Sequence, residues 1–292
     1  NDKTPNMSTS LQYKSTAGVD DHDISLTWWA QGNYNYRERY YASVGLGLSA
    51  SSRFGGDVGN GVKLAGVPWG LFPSASAAWV MSSESWFNVK FIDFLKFNAS
   101  FDMTGNDGFN DTASRTYFSP VRLLGATGIA LDNIGNSTLQ WETTTRYSVG
   151  FDMNLFKNRL TLSGSVFSSR TDNLLSISRL SYLTGIEESW SNGGKLKNFG
   201  FDASAGVKIL NNRNLTWEAG VGIGGYKNEL VELPDNDRAF NTELYGATVR
   251  SQVGSPVGIF YGYETDGVFS TTQEAEAANL KMLAKTGNPM HF

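Results

Sequence analysis

The feature that most constrains the fold of this chain is a set of long segments in which apolar and polar residues alternate. A period of two residues is typical of a β-strand, because successive side chains point to opposite faces of the sheet. About ten segments follow this period, among them Ile24–Tyr36, Tyr40–Ser51, Leu95–Thr104, Tyr147–Leu155, Phe201–Ile209 and Leu215–Ile223. The sequence therefore predicts an all-β, antiparallel fold of about ten long strands.

The length and the polar series of these segments favour a membrane barrel. Strands of soluble proteins hold about 5 to 6 residues, whereas a tilted strand that crosses a membrane needs roughly 9 to 11. The polar series consists mainly of Ser, Thr, Asn and Gly, and charged residues make up only 18% of the chain. A soluble sandwich usually carries Lys, Glu and Arg on its solvent face. We therefore predict a segment of a transmembrane β-barrel with a crowded, wet lumen.

Composition excludes several other classes. The net charge is −4 and no Lys/Arg run is present, so nucleic acid is not an expected partner. The absence of Cys excludes disulfides and thiolate zinc sites. No apolar run approaches the roughly 18 residues of a membrane helix. The mean hydropathy of −0.29 does not argue against a barrel, because alternating strands have ordinary average hydropathy.

Connections of two lengths separate the strands. Lys157–Arg159 and Asn211–Asn214 are short, whereas 104–116, 176–194 and 231–254 are long, irregular and rich in Gly, Asn and Asp. Membrane barrels join strands by short periplasmic turns on one side and by longer extracellular loops on the other. This asymmetry predicts the orientation of the strands in the membrane.

Two local features add detail. Tyr34, Tyr36, Tyr40 and Tyr41 cluster near a tight connection, as an interfacial aromatic girdle would, although ordinary core aromatics are the alternative. One helix is predicted after the capping-box pattern 271–274, with its apolar positions at Ala275, Ala277, Ala278, Leu280 and Leu283 and a stop at Gly287.

Candidate chemical motifs are weak. Gly220–Gly225 fits G-x-G-x-x-G but lies inside a strand, where close packing in a lumen explains Gly220 and Gly222 better than a dinucleotide does. His22 could be a metal ligand, yet the only other histidine is His291.

The acidic pairs are equally unspecific. Glu187-Glu188 and Asp235-Asn236-Asp237 lack EF-hand spacing, and Asp and Asn are common in loops for conformational reasons. No nucleophile elbow accompanies a histidine. We therefore predict no catalytic residue, cofactor or metal, and the sequence assigns no substrate-binding residue.

Several ordered motifs carry a family resemblance. Leu139-Gln140-Trp141-Glu142 is followed by Val149–Asp152 and by the turn Leu155–Leu160, and further matching stretches are 52–55, 72–79, 94–100, 104–106, 171–175, 254–258 and 261–269. In these motifs, over roughly residues 40 to 280, the chain resembles SusC/RagA-like TonB-dependent transporters of the Bacteroidota. Lys197–Asp202 departs from the family pattern, which usually has Asn-x-Gly followed by Glu.

The resemblance implies a particular role. Such transporters import oligosaccharides or peptides across the outer membrane, with a SusD-like surface lipoprotein as a lid and TonB as the energy source. It implies that residues 1–292 supply about half the wall of a barrel that is expected to have 22 strands. No plug domain, TonB box or closing strands are recognisable in these residues. TonB would act through the N-terminal region that is missing here, and the lipid bilayer would contact the wall.

Two other functions are compatible with the alternating pattern. A passive outer-membrane porin would need no TonB box and would carry charged constriction residues on an inward loop. A soluble, β-rich carbohydrate-binding domain would dissolve without detergent.

Overall fold

The computed structural model describes residues 22–57, 62–64, 66–109, 112–123, 126–180, 183, 185–186, 188–213, 215–234, 238–264, 268–278, 281–283 and 289–291. Nearly all regular structure in these residues is β. The strands are β1 Ser25–Tyr36, β2 Tyr40–Ser51, β3 Val62–Leu64, β4 Val67–Val80, β5 Ile92–Asn106, β6 Tyr117–Leu123, β7 Ala126–Asn133, β8 Glu142–Leu155, β9 Leu160–Asp172, β10 Leu175–Arg179, β11 Glu188–Asn192, β12 Lys195–Asn211, β13 Thr216–Glu232, β14 Phe240–Leu244, β15 Ala247–Ser251, β16 Ile259–Phe260, β17 Lys281–Leu283 and β18 Pro289–His291. A 3₁₀ turn covers Met81–Ser83, and one α-helix, α1, covers Thr272–Ala278.

Eight long strands form the main sheet in the order β1-β2-β4-β5-β8-β9-β12-β13, with β3 paired to β4. They are 12 to 17 residues long. Each pairs with its neighbour in antiparallel register. The predicted antiparallel all-β fold is confirmed, although the described residues contain eight long strands where about ten were predicted. Within the described residues, no helix is both long and apolar enough to cross a membrane.

The chain divides into two compact units. The first comprises Asn1–Phe240 and Ser251–Val257 and contains the main sheet. The second comprises Asn241–Arg250 and Gly258–Phe292, where β15 pairs with β16 and Arg250 lies over the ring of Tyr261 at 4.6 Å.

Short connections collect at one end of the main sheet, called here the turn end. The β1–β2 turn places Arg37 and Glu38 at φ 54° and 55°, and its Arg39 N–H donates to the Tyr36 carbonyl at 3.1 Å. A hairpin turn with two positive φ values matches the right-handed twist of the strands that it joins. The β8–β9 turn likewise has positive φ at Phe156, Lys157 and Asn158.

The long connections leave the opposite end, called here the loop end, and they are more regular than predicted. The connection 107–141 contains the hairpin β6–β7, and 173–194 contains the hairpin β10–β11. Their strands are only 5 to 8 residues long, so no long alternation announces them in the sequence.

The helix is shorter than predicted. The Thr271 hydroxyl accepts the Glu274 N–H at 3.2 Å, and the Glu274 carboxylate accepts the Ser270 N–H at 2.9 Å. The cap therefore forms as expected. The extension to Leu283 is wrong, because Lys281–Leu283 pairs with Pro289–His291 as a strand. Leu280 and the predicted stop Gly287 lie outside the described residues.

Candidate functional site

One face of the main sheet, called here the apolar face, exposes large hydrophobic side chains. It is defined by Val149 on β8 and by its in-register partners Val166 on β9 and Phe201 on β12. These side chains are 56%, 48% and 43% exposed, respectively. Monomeric soluble proteins rarely expose contiguous apolar patches beyond a few hundred Å². A face of this kind, extending over eight strands, is suited to contact with lipid hydrocarbon.

The apolar series shifts along the strands from one edge of the sheet to the other. One register row runs through Tyr36, Tyr40, Trp79, Phe97, Phe151, Gly164, Ala203 and Ile223. On β1 the series extends from this row toward the loop end, as far as Leu26 and the preceding residue Ile24. On β13 it extends from the same row toward the turn end, as far as Trp217.

This shift measures the inclination of the strands to the apolar band. Relative to the common row, the turn-side limit of the series shifts by roughly 6 residues and the loop-side limit by roughly 12 over about seven strand steps. The rise is about 3.3 Å per residue and the spacing about 4.8 Å per step. The corresponding tilt is roughly 30 to 50°, which includes the roughly 35 to 45° of membrane-barrel strands. A soluble β-sandwich is not expected to show its apolar residues as a band inclined to the strands.

The opposite face, called here the polar face, is lined by small hydroxyl residues. Ser43, Ser76, Ser100 and Ser148 lie in one register row across four strands. Their hydroxyls approach in pairs, at 3.2 Å for Ser43 and Ser76 and at 2.8 Å for Ser100 and Ser148. Further cross-strand pairs are Thr27–Ser49, Thr144–Thr171 and Ser163–Ser204. Paired hydroxyls satisfy one another and remain able to bind water.

A groove of about 500 Å³ lies along the polar face between β5 and β13. Its polar lining comes from Asn98, Asp152, Ser163, Ser165, Asp202 and Ser204. The Lys96 ammonium lies 3.0 Å from the Asp152 carboxylate, and the Arg146 guanidinium lies 4.3 Å from the centre of the Phe167 ring. This face presents hydrogen-bonding groups of both charges, as a surface that water or a polar solute can traverse would do.

Aromatic residues gather around one carboxylate at the turn end. Glu84, in the β4–β5 connection, accepts hydrogen bonds from the Tyr40 hydroxyl at 2.6 Å and from the Trp79 indole N–H at 3.1 Å. The Arg39 guanidinium donates to it at 3.3 Å, and the Glu84 side chain is only 8% exposed. The Tyr40 hydroxyl, followed by the Trp79 N–H, holds the pKa of Glu84 below its ordinary value. We call Arg39, Tyr40, Trp79 and Glu84 the turn-end cluster.

The loop end contains a small hydrophobic core, called here the loop-end cluster. Phe54, Phe109, Ala113 and Leu139 are buried, and Trp141, Leu175 and Trp190 pack against them. The Phe54 ring lies 5.2 Å from Phe109 and 4.7 Å from Trp141. These residues come from connections that are distant in sequence, so the cluster joins three long loops to one another.

Hydrogen bonds from polar side chains fasten the same loops. The Asn192 carboxamide exchanges 2.8 Å bonds with the backbone of Gln140 in both directions. The Glu142 carboxylate accepts from the Asn106 side chain at 3.2 Å and from the Leu175 N–H at 2.9 Å. Each residue of the motif 139–142 therefore has one role in fastening the loops. Leu139 is buried, the backbone of Gln140 is hydrogen-bonded, Trp141 contacts the Phe54 ring and the Glu142 carboxylate bridges two segments.

The predicted tyrosine girdle divides between the two faces. Tyr36 and Tyr40 lie side by side on the apolar face, with ring centres 6.4 Å apart, whereas Tyr41 pairs with Asn35 and Ala78 on the polar face. All four tyrosines are 38 to 64% exposed, so the described residues do not bury them in a core.

The weak chemical motifs gain no support from the geometry. No group of three or more His, Cys, Asp or Glu residues that could hold a metal occurs in the described part of the chain. His22 lies in an exposed segment before β1, and His291 lies in β18. Glu187 and Asp235–Asp237 fall outside the described residues, and Glu188 pairs through its backbone with Arg179.

The glycine motif lies within β13, as expected, but the neighbouring residues that the structure describes leave room for a side chain at both glycines. A Cβ on Gly222 would meet only the Ala203 carbonyl at 3.9 Å, and one on Gly220 would meet the Ala205 carbonyl at 3.4 Å. Both are ordinary contact distances, so close packing by the described residues does not require glycine there.

Sequence reasoning missed Glu84 and Asn192, which organise the two ends of the sheet. Glu84 lies in a short segment with two neighbouring Trp residues, Trp79 and Trp86. Tyr and Trp side chains usually find a hydrogen-bond acceptor for their polar groups when they are buried, so a carboxylate close to them in sequence is the signal that could have found Glu84. Asn192 carries no such pattern, because its partner Gln140 is 52 residues away.

Comparisons with known proteins agree with this architecture. Residues 2–279 match the model of a family described as TonB dependent receptor-like, beta-barrel. The chain is 31% identical over 258 residues to TonB-dependent receptor P39 of Formosa agariphila, covering 87% of this chain and 24% of that protein. It is 24% identical over 231 residues to TonB-dependent receptor SusC of Bacteroides thetaiotaomicron, covering 73% and 21%, respectively.

A solved structure shares the fold. The RagAB peptide importer in its closed-closed state superposes with a TM-score of 0.74 at 20% identity, covering 91% of this chain and 28% of that chain. The chain thus spans about a quarter of the length of the relatives that it matches.

Proposed function

Because the chain belongs to the TonB-dependent receptor-like β-barrel family, we propose that it forms part of the wall of an outer-membrane importer. The single observation that carries the proposal is the inclined apolar band opposite a polar face. Such a wall meets lipid on one side and a hydrated path on the other.

Three finer assignments belong to the same proposal. The cargo is an oligosaccharide or a peptide, a SusD-like surface lipoprotein covers the loop end, and TonB supplies the energy. The fold shared with the RagAB peptide importer and the similarity to SusC support this choice. The mixed donors and acceptors of the polar groove suit a polar, uncharged or zwitterionic solute. No catalytic step is part of the proposed function.

Uptake by cells that carry the complete protein tests this function. Labelled oligosaccharides and peptides should reach the periplasm when TonB is present, and deletion of either TonB or this gene should abolish uptake. Deletion of the gene for the proposed SusD-like lipoprotein should reduce it. Uptake that persists without TonB would contradict energised import.

Two further measurements separate the alternative functions. Liposomes containing the purified complete protein should not swell in a permeant sugar, whereas a passive porin would make them swell. The protein should fractionate with outer membranes and require detergent for extraction. Recovery of folded protein from the periplasm without detergent would exclude the membrane location.

A further inference from the structure

Three basic residues lie together on the apolar face, beyond the loop-side limit of its hydrophobic series. Arg170 on β9 is directly opposite Lys197 on β12. Lys197 is in turn opposite Glu229 on β13, which places Lys227 diagonally across from it, beside Phe199. We call Arg170, Lys197 and Lys227 the basic triad.

The triad is the first charged level above the hydrophobic series of these strands. On β12 the hydrophobic series ends at Phe199, two residues from Lys197 on the same face. Its other members are Phe201, Ala203, Ala205 and Val207. On β8 the neighbouring aromatic Tyr147 is 58% exposed, and Phe199 is 60% exposed. Aromatic residues at the edge of an apolar band mark the boundary between hydrocarbon and headgroups. The triad therefore lies at the level of lipid headgroups on the loop side.

The charges of the triad are only partly compensated within the protein. The Arg170 Nε donates to both carboxylate oxygens of Asp172, at 3.0 and 3.1 Å, and its two terminal amino groups form no hydrogen bond with any residue that the structure describes. Lys195 nearby pairs with Glu232. Lys197 and Lys227 form no ion pair with any residue that the structure describes, and neither does Glu229.

Asp172 and Glu229 place two carboxylates beside the three cations of the triad, so the group keeps a net positive charge that an external anion can balance. Like charges directly opposite each other on neighbouring strands destabilise a sheet. The residues are also next to exposed aromatics on a face that contacts lipid, where water screens charge poorly. A phosphate resolves both problems, because the flat guanidinium matches two phosphate oxygens and the lysines add point charges.

We propose that the basic triad binds the phosphate of lipid A, the phosphorylated glycolipid of the outer leaflet. The inference rests on the proposed outer-membrane location. The acyl chains of the same lipid would lie along Phe199, Phe201 and Val166, below the phosphate. The protein thereby binds one lipid by charge and by apolar contact at once.

Native mass spectrometry of the complete protein in neutral detergent tests the proposal. The wild type should retain added lipid A. The triple variant Arg170→Gln, Lys197→Gln, Lys227→Gln should bind it about tenfold more weakly or worse, because charge-assisted hydrogen bonds to phosphate are lost. A matched control removes three cations from the polar face, as Lys96→Gln, Arg146→Gln, Lys208→Gln, and should bind lipid A like the wild type.

Two ligand arms identify the source of the phosphate. The wild type should bind dephosphorylated lipid A weakly. This binding should be no stronger than the binding of intact lipid A to the triad variant. Inorganic phosphate should not displace intact lipid A at equal concentration. If it does, the site is one for free phosphate and the lipid assignment is wrong.

Equal retention of lipid A by the wild type and the triad variant would overturn the proposal. Heat-modifiable migration of both variants on gels checks that each is folded, and a single Lys197→Gln variant replaces the triple one if it is not. Failure of the membrane location would appear separately, as recovery of the wild type without detergent. The two proposals can therefore fail independently.

Discussion

The turn end and the loop end of the sheet are held together in different ways. At the turn end, strands are joined by tight connections, and the turn-end cluster adds hydrogen bonds to one carboxylate. At the loop end, the loop-end cluster contains four of the few buried hydrophobic residues that the structure describes. Between them, the described residues form no buried hydrophobic cluster on either face of the strands. In the described residues, strand pairing thus holds the sheet between its ends, and a hydrophobic cluster forms where the long loops meet.

The largest expected effect is at Leu139, which is completely buried in the loop-end cluster. Leu139→Ala should destabilise the loop end by about 2 to 5 kcal/mol, because it leaves a cavity that the surrounding rings cannot fill. In the complete protein, residues 107–141 and 173–194 should exchange backbone hydrogen faster in the variant than in the wild type. Exchange in the long strands should stay the same.

A matched control separates cavity formation from loss of apolar surface. Leu183 is also in a long connection but is 97% exposed, so Leu183→Ala should leave exchange unchanged. If both variants behave alike, the loop-end cluster is not a core and the contrast between the two ends disappears.

The next effect concerns the close approach of two loops at Gly55. A Cβ there would overlap the carbonyl group of Ser137, with its carbonyl carbon 2.6 Å away. Gly55→Ala should cost about 1 to 3 kcal/mol, because backbone must move to admit a methyl group. Limited proteolysis of the complete protein should cleave the variant sooner within these loops.

The neighbouring glycine provides the control. A Cβ on Gly56 would meet nothing within 4 Å, so Gly56→Ala should resist proteolysis as well as the wild type does. Equal sensitivity of the two variants would indicate that chain flexibility, and not the approach to Ser137, determines cleavage.

The sequence predicted the strands better than the ends because alternation is a local property. Tyr40–Ser51 matches β2 at both limits. The exception is β4, where Pro68 and Pro73 interrupt the pattern that a strand should have. Pro73 is tolerated because it pairs with Leu46 on β2, while pairing of β4 to β5 begins only at Ser74. No N–H is therefore needed on that side.

The ends could not be predicted because their contacts join distant segments. Glu142 is conspicuous in its motif, yet nothing local shows that its carboxylate accepts from Leu175, 33 residues away. The family resemblance identified the motif that contains Glu142, but it did not predict the hydrogen bonds that the Glu142 carboxylate accepts. Packing and register of the whole sheet are required to bring these residues together.

A smaller effect is expected at the turn end, at Glu84. Glu84→Gln should lower the urea midpoint of the complete protein at neutral pH, because the carboxylate accepts three donors. Its folded pKa is lowered, chiefly by the Tyr40 hydroxyl. Stabilisation by the ionised form is therefore full above the ordinary value of about 4.5 and is lost as the pH falls through the lower folded pKa.

The difference between wild type and Glu84→Gln should accordingly shrink in acid. Glu38→Gln makes the same charge change in an exposed position of the same end and should shift the midpoint little at any pH. A difference for Glu84→Gln that stays constant from neutral pH to well below 4.5 would show that ionisation of Glu84 does not anchor this turn.

The smallest effect is expected midway between the ends, at the hydroxyl pair of Ser100 and Ser148, whose oxygens are 2.8 Å apart. Ser100→Ala should cost about 0.5 to 1 kcal/mol in urea unfolding, because water on the polar face can replace the lost partner. The double variant Ser100→Ala, Ser148→Ala should cost less than the sum of the two single variants, since neither hydroxyl is then left without a partner. If Ser100→Ala lowered the free energy of unfolding as much as Leu139→Ala does, the middle of the sheet would be as tightly held as the loop end. The contrast between these two regions would then be wrong.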